Sequence, residues 1–114
     1  MPYKKEKLEK SIEREVSNTI IMNIKDDRIK YVTITDVRLT ADLSIATILY
    51  RVIGKDHQID TSSMALEEAK GFIRSRLAKK LSIRKVPELV FKYDTSIETA
   101  NRIEEILMKI KNNQ

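Results

Sequence analysis

Apolar residues recur every fourth position at the start of the chain: Leu8, Ile12, Val16, Ile20 and Ile24, with charged residues filling the other faces. This stripe predicts an amphipathic helix over about Lys5 to Ile24, packed on a core by one side. "KDDRIK", from Lys25, interrupts the period, and Asp26 and Asp27 there suit a cap or a tight turn. "YVTITDVRL" is rich in β-branched residues and predicts a strand. Its alternation slips, because Val32 and Ile34 share one phase while Val37 and Leu39 share the other. One extra residue near Thr35 and Asp36, a β-bulge, would put both pairs on one face. After the turn "TADLS", "SIATILYRVIG" predicts a second strand with Ala46, Ile48, Tyr50 and Val52 facing one way. So short a connection makes the two strands an antiparallel hairpin.

The second half of the chain alternates in the same manner. The loop "GKDHQIDTSS" ends in hydroxyl residues able to cap a helix over about Ser62 to Leu81, striped by Leu66, Ala69, Ile73, Leu77 and Leu81. "VPELVFKYD" predicts a third strand with Leu89, Phe91 and Tyr93 in phase, and Pro87 suits its entry or an edge. Thr95 followed by Glu98 has the spacing of a capping box, and Ala100, Ile103, Ile106, Leu107 and Ile110 line one face of a last helix. The expected fold is a single α+β domain over 1–114, a three-stranded sheet packed on helices, with 1–4 and 111–114 frayed. No repeat, linker or low-complexity segment divides it.

Composition narrows the function. The chain has 114 residues, 34% of them charged, and no cysteine, which removes disulfides, thiol chemistry and cysteine-ligated zinc. No apolar run approaches the roughly 20 residues of a membrane span, and the charged start lacks the apolar centre of a secretory signal. A cytoplasmic location is the expectation. Two glycines cannot build a P-loop or a dinucleotide fingerprint, and no G-x-S-x-G is present. His57 is the sole histidine and sits in a polar stretch, so it reads as a solvated side chain. Glu67 and Glu68 are adjacent on a helix and diverge. Tyr50, Phe91 and Tyr93 could form a base-stacking platform, but their apolar in-phase neighbours make them core residues instead. No catalytic residue, metal site or cofactor is expected.

Charge is where the pattern becomes specific. The net charge is +5, from 22 bases and 17 acids. Between Lys70 and Lys85 lie seven bases, Lys70, Arg74, Arg76, Lys79, Lys80, Arg84 and Lys85, and no acid; outside that run acids outnumber bases. A merely solvated face alternates its signs, whereas a one-sign segment fits a polyanion. Gly71 sits at its head, inside an otherwise regular helical pattern, where glycine costs roughly 1 kcal/mol against alanine. A helix that ended and restarted at Ala69-Lys70-Gly71 would place fresh backbone N–H donors beside these bases, an arrangement favouring a phosphate.

The order helix–strand–strand–helix–helix–strand, with a glycine element between the middle helices, resembles the type II KH domain, an RNA-binding module. Having Ala69-Lys70-Gly71, an A-x-G, in place of G-x-x-G is similar to the bacterial ribosome-binding factor A family. "VTITDVRLTADLSIATI" with its Asp42-Leu43-Ser44 turn, "FIRSRLAKKLSIRKVPELVFKYD" and "SIETANRIEEIL" carry the likeness over nearly the whole chain. The resemblance implies a helix-kink-helix unit hinged at Gly71 and a non-catalytic, monomeric assembly factor. Its partner would be the free small ribosomal subunit and its ribosomal RNA, with no membrane and no small-molecule substrate. It implies a role in late maturation, including processing of the RNA 5′ end, and in growth in the cold. The RNA-facing residues would be Lys70, Arg74, Arg76, Lys79, Lys80, Arg84 and Lys85, with Lys4 and Lys5 added from a mobile N-terminus. Recognition of shape and phosphate is implied over reading of extruded bases. The rival readings are a module whose basic face docks an acidic protein, an enzyme built around His57, and a DNA-binding helix-turn-helix.

Overall fold

The computed structural model describes residues 2–54 and 56–112, with side chains for all of these except Pro2, Tyr3, Asp56 and His57. His57 as a candidate site therefore falls outside the described side chains. Three helices and three strands follow in the order α1 (Pro2–Met22), β1 (Val32–Leu39), β2 (Ile45–Val52), α2 (Asp56–Leu81), β3 (Glu88–Tyr93) and α3 (Ser96–Asn112), with one 3-10 turn at Asp27–Ile29. The fold is α+β, as the periodicity predicts. The ends expected to fray are helical from Pro2 and through Asn112.

The sheet order is β1-β2-β3, β1 antiparallel to β2 and β3 parallel to it. The expected bulge is present: the register shifts between Ile34 and Asp36. It brings Val37 and Leu39 onto the face shared by Ala46, Ile48, Tyr50 and Val52, all of them buried. The bulge also frees the Thr35 hydroxyl to donate to Asp94 Oδ2 at 2.6 Å, tying β1 to the residue that follows β3. The 3-10 turn is capped by Asp26, which accepts from the Arg28 backbone N–H at 2.9 Å. The Arg28 guanidinium binds the Asp26 carboxylate at 2.8 Å, and the same side chain reaches Glu68 on α2. This pairing holds the Asp26 carboxyl below its usual range.

One core forms between the sheet and two helices. Ile12, Val16 and Ile20 enter it from α1, Leu66, Ile73 and Leu77 from α2, and Leu89 from β3. Tyr50 is buried in the core and meets Tyr93 edge-on at 5.7 Å between centroids, while Phe91 and Tyr93 are half-buried and pack against the cluster. In contrast, α3 buries none of its residues. Its beginning is tethered by Arg51, which donates to Glu98 at 2.7 and 2.9 Å and to the Asp94 carbonyl at 2.7 Å. The capping box is consequently not made. Glu98 turns to Arg51, and Asp94 Oδ1 accepts from the Ser96 N–H at 2.9 Å in its place.

Two expectations about α2 are corrected. The helix begins at Asp56, before the hydroxyl residues offered as its cap, and Ser62 is buried with its hydroxyl bonded to the Arg28 carbonyl. The break at Ala69-Lys70-Gly71 is also absent: α2 is one helix of 26 residues, and Gly71 lies inside it. Its backbone N–H groups there are held by the helix, so no second N-terminus faces the basic run.

Candidate nucleic-acid interface

Leu66, Ile73 and Leu77 turn one side of α2 to the core, which fixes the opposite side as its outermost line. Gly71, Ser75 and Ala78 occupy that line and are all exposed. A Cβ built on Gly71 meets nothing within 4 Å. The glycine thus makes no close contact within the domain, and the helix runs on through it without a break. It leaves a bare helix surface, low enough for another backbone to approach, at the start of the basic run.

The seven bases of that run do not act alike. Lys70 is half-buried and pairs with Glu67 at 2.7 Å. Arg74 turns toward the segment between α2 and β3, where it donates to the carbonyls of Val86 at 2.9 Å and Pro87 at 3.2 Å. It latches the entry of β3 to the helix. Arg76 is half-buried, and its Nε lacks a partner among the described residues. Lys79, Lys80, Arg84 and Lys85 are exposed, and none has an acid partner among the described ion pairs. The helix ends at Leu81, and Ser82 follows with φ 50°, a left-handed residue that turns the chain out. Lys79 and Lys80 lie in the last turn, where the helix dipole favours cations, and Arg84 and Lys85 continue the cluster across the turn. Four exposed bases without an acid partner among the described ion pairs thus lie in the last turn of α2 and just beyond its end.

Lys4 and Lys5 occupy the first turns of α1, Lys4 exposed and Lys5 half-buried. No bond among the described residues joins them to the α2 cluster. Sequence spacing could not separate the latch from the free bases, because Arg74 and Lys79 look equivalent until the path of residues 82–87 is known.

This is a small α+β module in which an exposed, uncrowded helix face leads to bases with no acid partner among the described ion pairs. The sequence profile described as Ribosome-binding factor A matches residues 4–107. A ribosome-binding factor A from Staphylococcus carnosus is 42% identical over 105 residues, covering 92% of this chain and 91% of the relative. The crystal structure of ribosome-binding factor A from Thermus thermophilus superposes with a TM-score of 0.71 at 25% identity, covering 78% of this chain and 93% of that one. A homology model of the Thermus thermophilus factor, fitted into a cryo-EM map of a 30S complex, gives 0.66 at 24% identity with the same coverages. The chain belongs to the ribosome-binding factor A family.

Proposed function

We propose that this chain binds the free small ribosomal subunit through its ribosomal RNA, and assists a late step of the subunit's maturation without chemistry of its own. The observation that carries the reading is the group Lys79, Lys80, Arg84 and Lys85, exposed and unpaired in a chain of this family. Gly71, Ser75 and Ala78 would let a phosphate backbone lie along α2, with Arg76 at its flank and the bases at its end. Lys4 and Lys5 would form a separate, weaker contact. Lys70 and Arg74 are reassigned to positioning, since Glu67 and the Val86 and Pro87 carbonyls hold them. Support for the subunit as partner comes from the relatives, one of which has been fitted into a map of a 30S complex. Such binding needs shape and phosphate recognition, because the glycine is inside a regular helix and offers no loop to clamp extruded bases. A part in 5′-end processing and in growth in the cold belongs to this reading.

The test is sedimentation of purified protein with purified small subunits at low and high salt. Co-sedimentation that is lost at high salt, and lost at low salt by Lys79→Ala/Lys80→Ala/Arg84→Ala/Lys85→Ala, is expected. Protein left at the top of the gradient at low salt would overturn the reading and make an acidic protein the partner to seek.

A further inference from the structure

β1 is an edge strand, paired with β2 on one side only. The amide of Ile53 donates to the Tyr31 carbonyl at 3.1 Å and that of Thr40 to the Ile45 carbonyl at 3.0 Å. With the ladder register this fixes which amides point away from β2: those of Val32 and Ile34 before the bulge, and those of Val37 and Leu39 after it. The two halves of this edge are treated differently. After the bulge, Val37 N–H donates to Asp36 Oδ1 at 2.9 Å and Leu39 N–H to Glu9 Oε2 at 2.7 Å. Carboxylates close that half, as protected edges require. Before the bulge, the outward amides of Val32 and Ile34 meet no such side chain among the described residues.

Open space and exposed apolar surface lie beside the unprotected half. A cleft of about 100 Å³ runs between α1 and β1, lined by Ser17, Ile20, Ile21, Val32, Thr33 and Ile34. It adjoins a shallow cavity of about 480 Å³ that shares Ile20, Ile21 and Val32 and adds Ile24, Lys25 and Lys30. Ile21 is 73% exposed and Met22 is 74% exposed, at the end of a helix that buries Ile12, Val16 and Ile20. Asp26 in the cavity wall is committed to Arg28, leaving Lys25 and Lys30 against Asp27 alone.

We propose that the Val32–Ile34 edge and its apolar cleft bind a short extended segment of a partner protein, added as a fourth strand, apolar at alternate positions and acidic at the end beside Lys25 and Lys30. Only a polypeptide backbone offers donors and acceptors at the strand repeat, so the edge selects a peptide over RNA. From Tyr31 to the bulge the open edge is roughly 13 Å long at about 3.3 Å per residue. A stable contact between two copies of the chain needs about 1,200 Å² or more, beyond what so short an edge supplies. The two lysines give the acidic preference.

The test uses the full chain, labelled with nitrogen-15, and two synthetic probes. One is acetyl-Glu-Val-Thr-Val-Thr-Val-amide; the other is the same peptide methylated on alternate backbone nitrogens, which cannot form a ladder. At about 1 mM of the first probe the Val32 and Ile34 amide signals are expected to shift and to exchange with solvent at least about tenfold more slowly, and the second probe is expected to leave them unchanged. Val32→Pro removes an outward donor that the ladder with β2 does not use, and should abolish the Ile34 response. Ile21→Asp, on an exposed helix position, should weaken it about tenfold with the fold intact, and keeps the test open if the proline variant unfolds. The proposal is overturned if neither amide responds, if both probes act equally, or if Ile21→Asp binds as well as the native chain. Protection that grows with protein concentration without peptide would overturn it in favour of a second copy.

Discussion

At the scale of single residues, Gly71 and Arg74 are the informative positions, because each contradicts the role its neighbours suggest. Gly71 is in a helix interior, in open space, so alanine there gains helix propensity and meets no obstruction. Gly71→Ala is expected to stabilise the chain by about 0.5–1 kcal/mol in urea denaturation. A loss of stability would mean that the backbone at 71 needs a conformation alanine resists. Arg74 belongs to the basic run by sequence and to the scaffold by contact. Arg74→Ala should cost about 1–3 kcal/mol, because it strips the Val86 and Pro87 carbonyls of their donor beside a buried proline. Lys79→Ala should change stability by less than about 0.5 kcal/mol in the same assay. Equal effects from the two would refute the division between latch and free base. Sequence marks all these residues as basic or small. What each one touches depends on a six-residue connection that has no periodicity of its own.

At the scale of elements, legibility follows burial. Both ends of the β-bulge were readable because the phase slip between Ile34 and Val37 has one physical remedy, and the structure adopts it. The start of α2 was not readable, because residues 56–61 present no apolar stripe and the hydroxyls at Ser62 and Ser63 imitate a cap. Ser62 is instead a buried anchor to Arg28. The apolar period of α3 announces a face but not what covers it, and here α3 stays exposed and is bonded to the sheet through Glu98 near its beginning. That junction is electrostatic and should respond to acid. Asp94 is held at about 2 chiefly by the Thr35 hydroxyl and then by Ser96, and Glu98 is lowered by Arg51. A carboxylate lowered in the folded state stabilises it above the unfolded value of about 3.9, and that contribution disappears as pH falls toward the folded value. Stability is therefore expected to drop between about pH 4 and pH 2. Asp42, held at about 2 by Ser44 and Thr40, titrates in the same window, so the diagnostic is a difference. Asp94→Asn should be less stable than the native chain at pH 6, and the gap should narrow below about pH 4 and close as pH falls through about 2, followed by urea denaturation. A constant gap across that range would place the role of Asp94 in shape, not in charge.

At the scale of the whole molecule, the proposed function raises the question of how a chain with mixed charge would recognise a polyanion. Outside residues 70–85 acids outnumber bases, so on the proposed reading attraction to RNA would rest on the acid-free run and not on a uniform field. The rest of the fold serves to hold the end of α2 still. The core fixes the inner side of α2, the Arg74 latch fixes the segment that follows, and Ser82 turns Arg84 and Lys85 outward together with Lys79 and Lys80. Localised contact makes a quantitative demand on salt dependence. Each phosphate neutralised adds about 0.7–0.9 to the slope of log affinity against log salt. If all four bases meet phosphates, replacing them together with alanine should lower the measured slope for small-subunit binding by about 3. Replacing Lys4 and Lys5 should lower it by at most about 2, and by less if their site is separate and weak. A slope unchanged by the fourfold variant, with binding retained, would move the interface away from α2 altogether. The affinity would then have to come from shape fit elsewhere on the domain, and the bare line of Gly71, Ser75 and Ala78 would lose its explanation together with the bases.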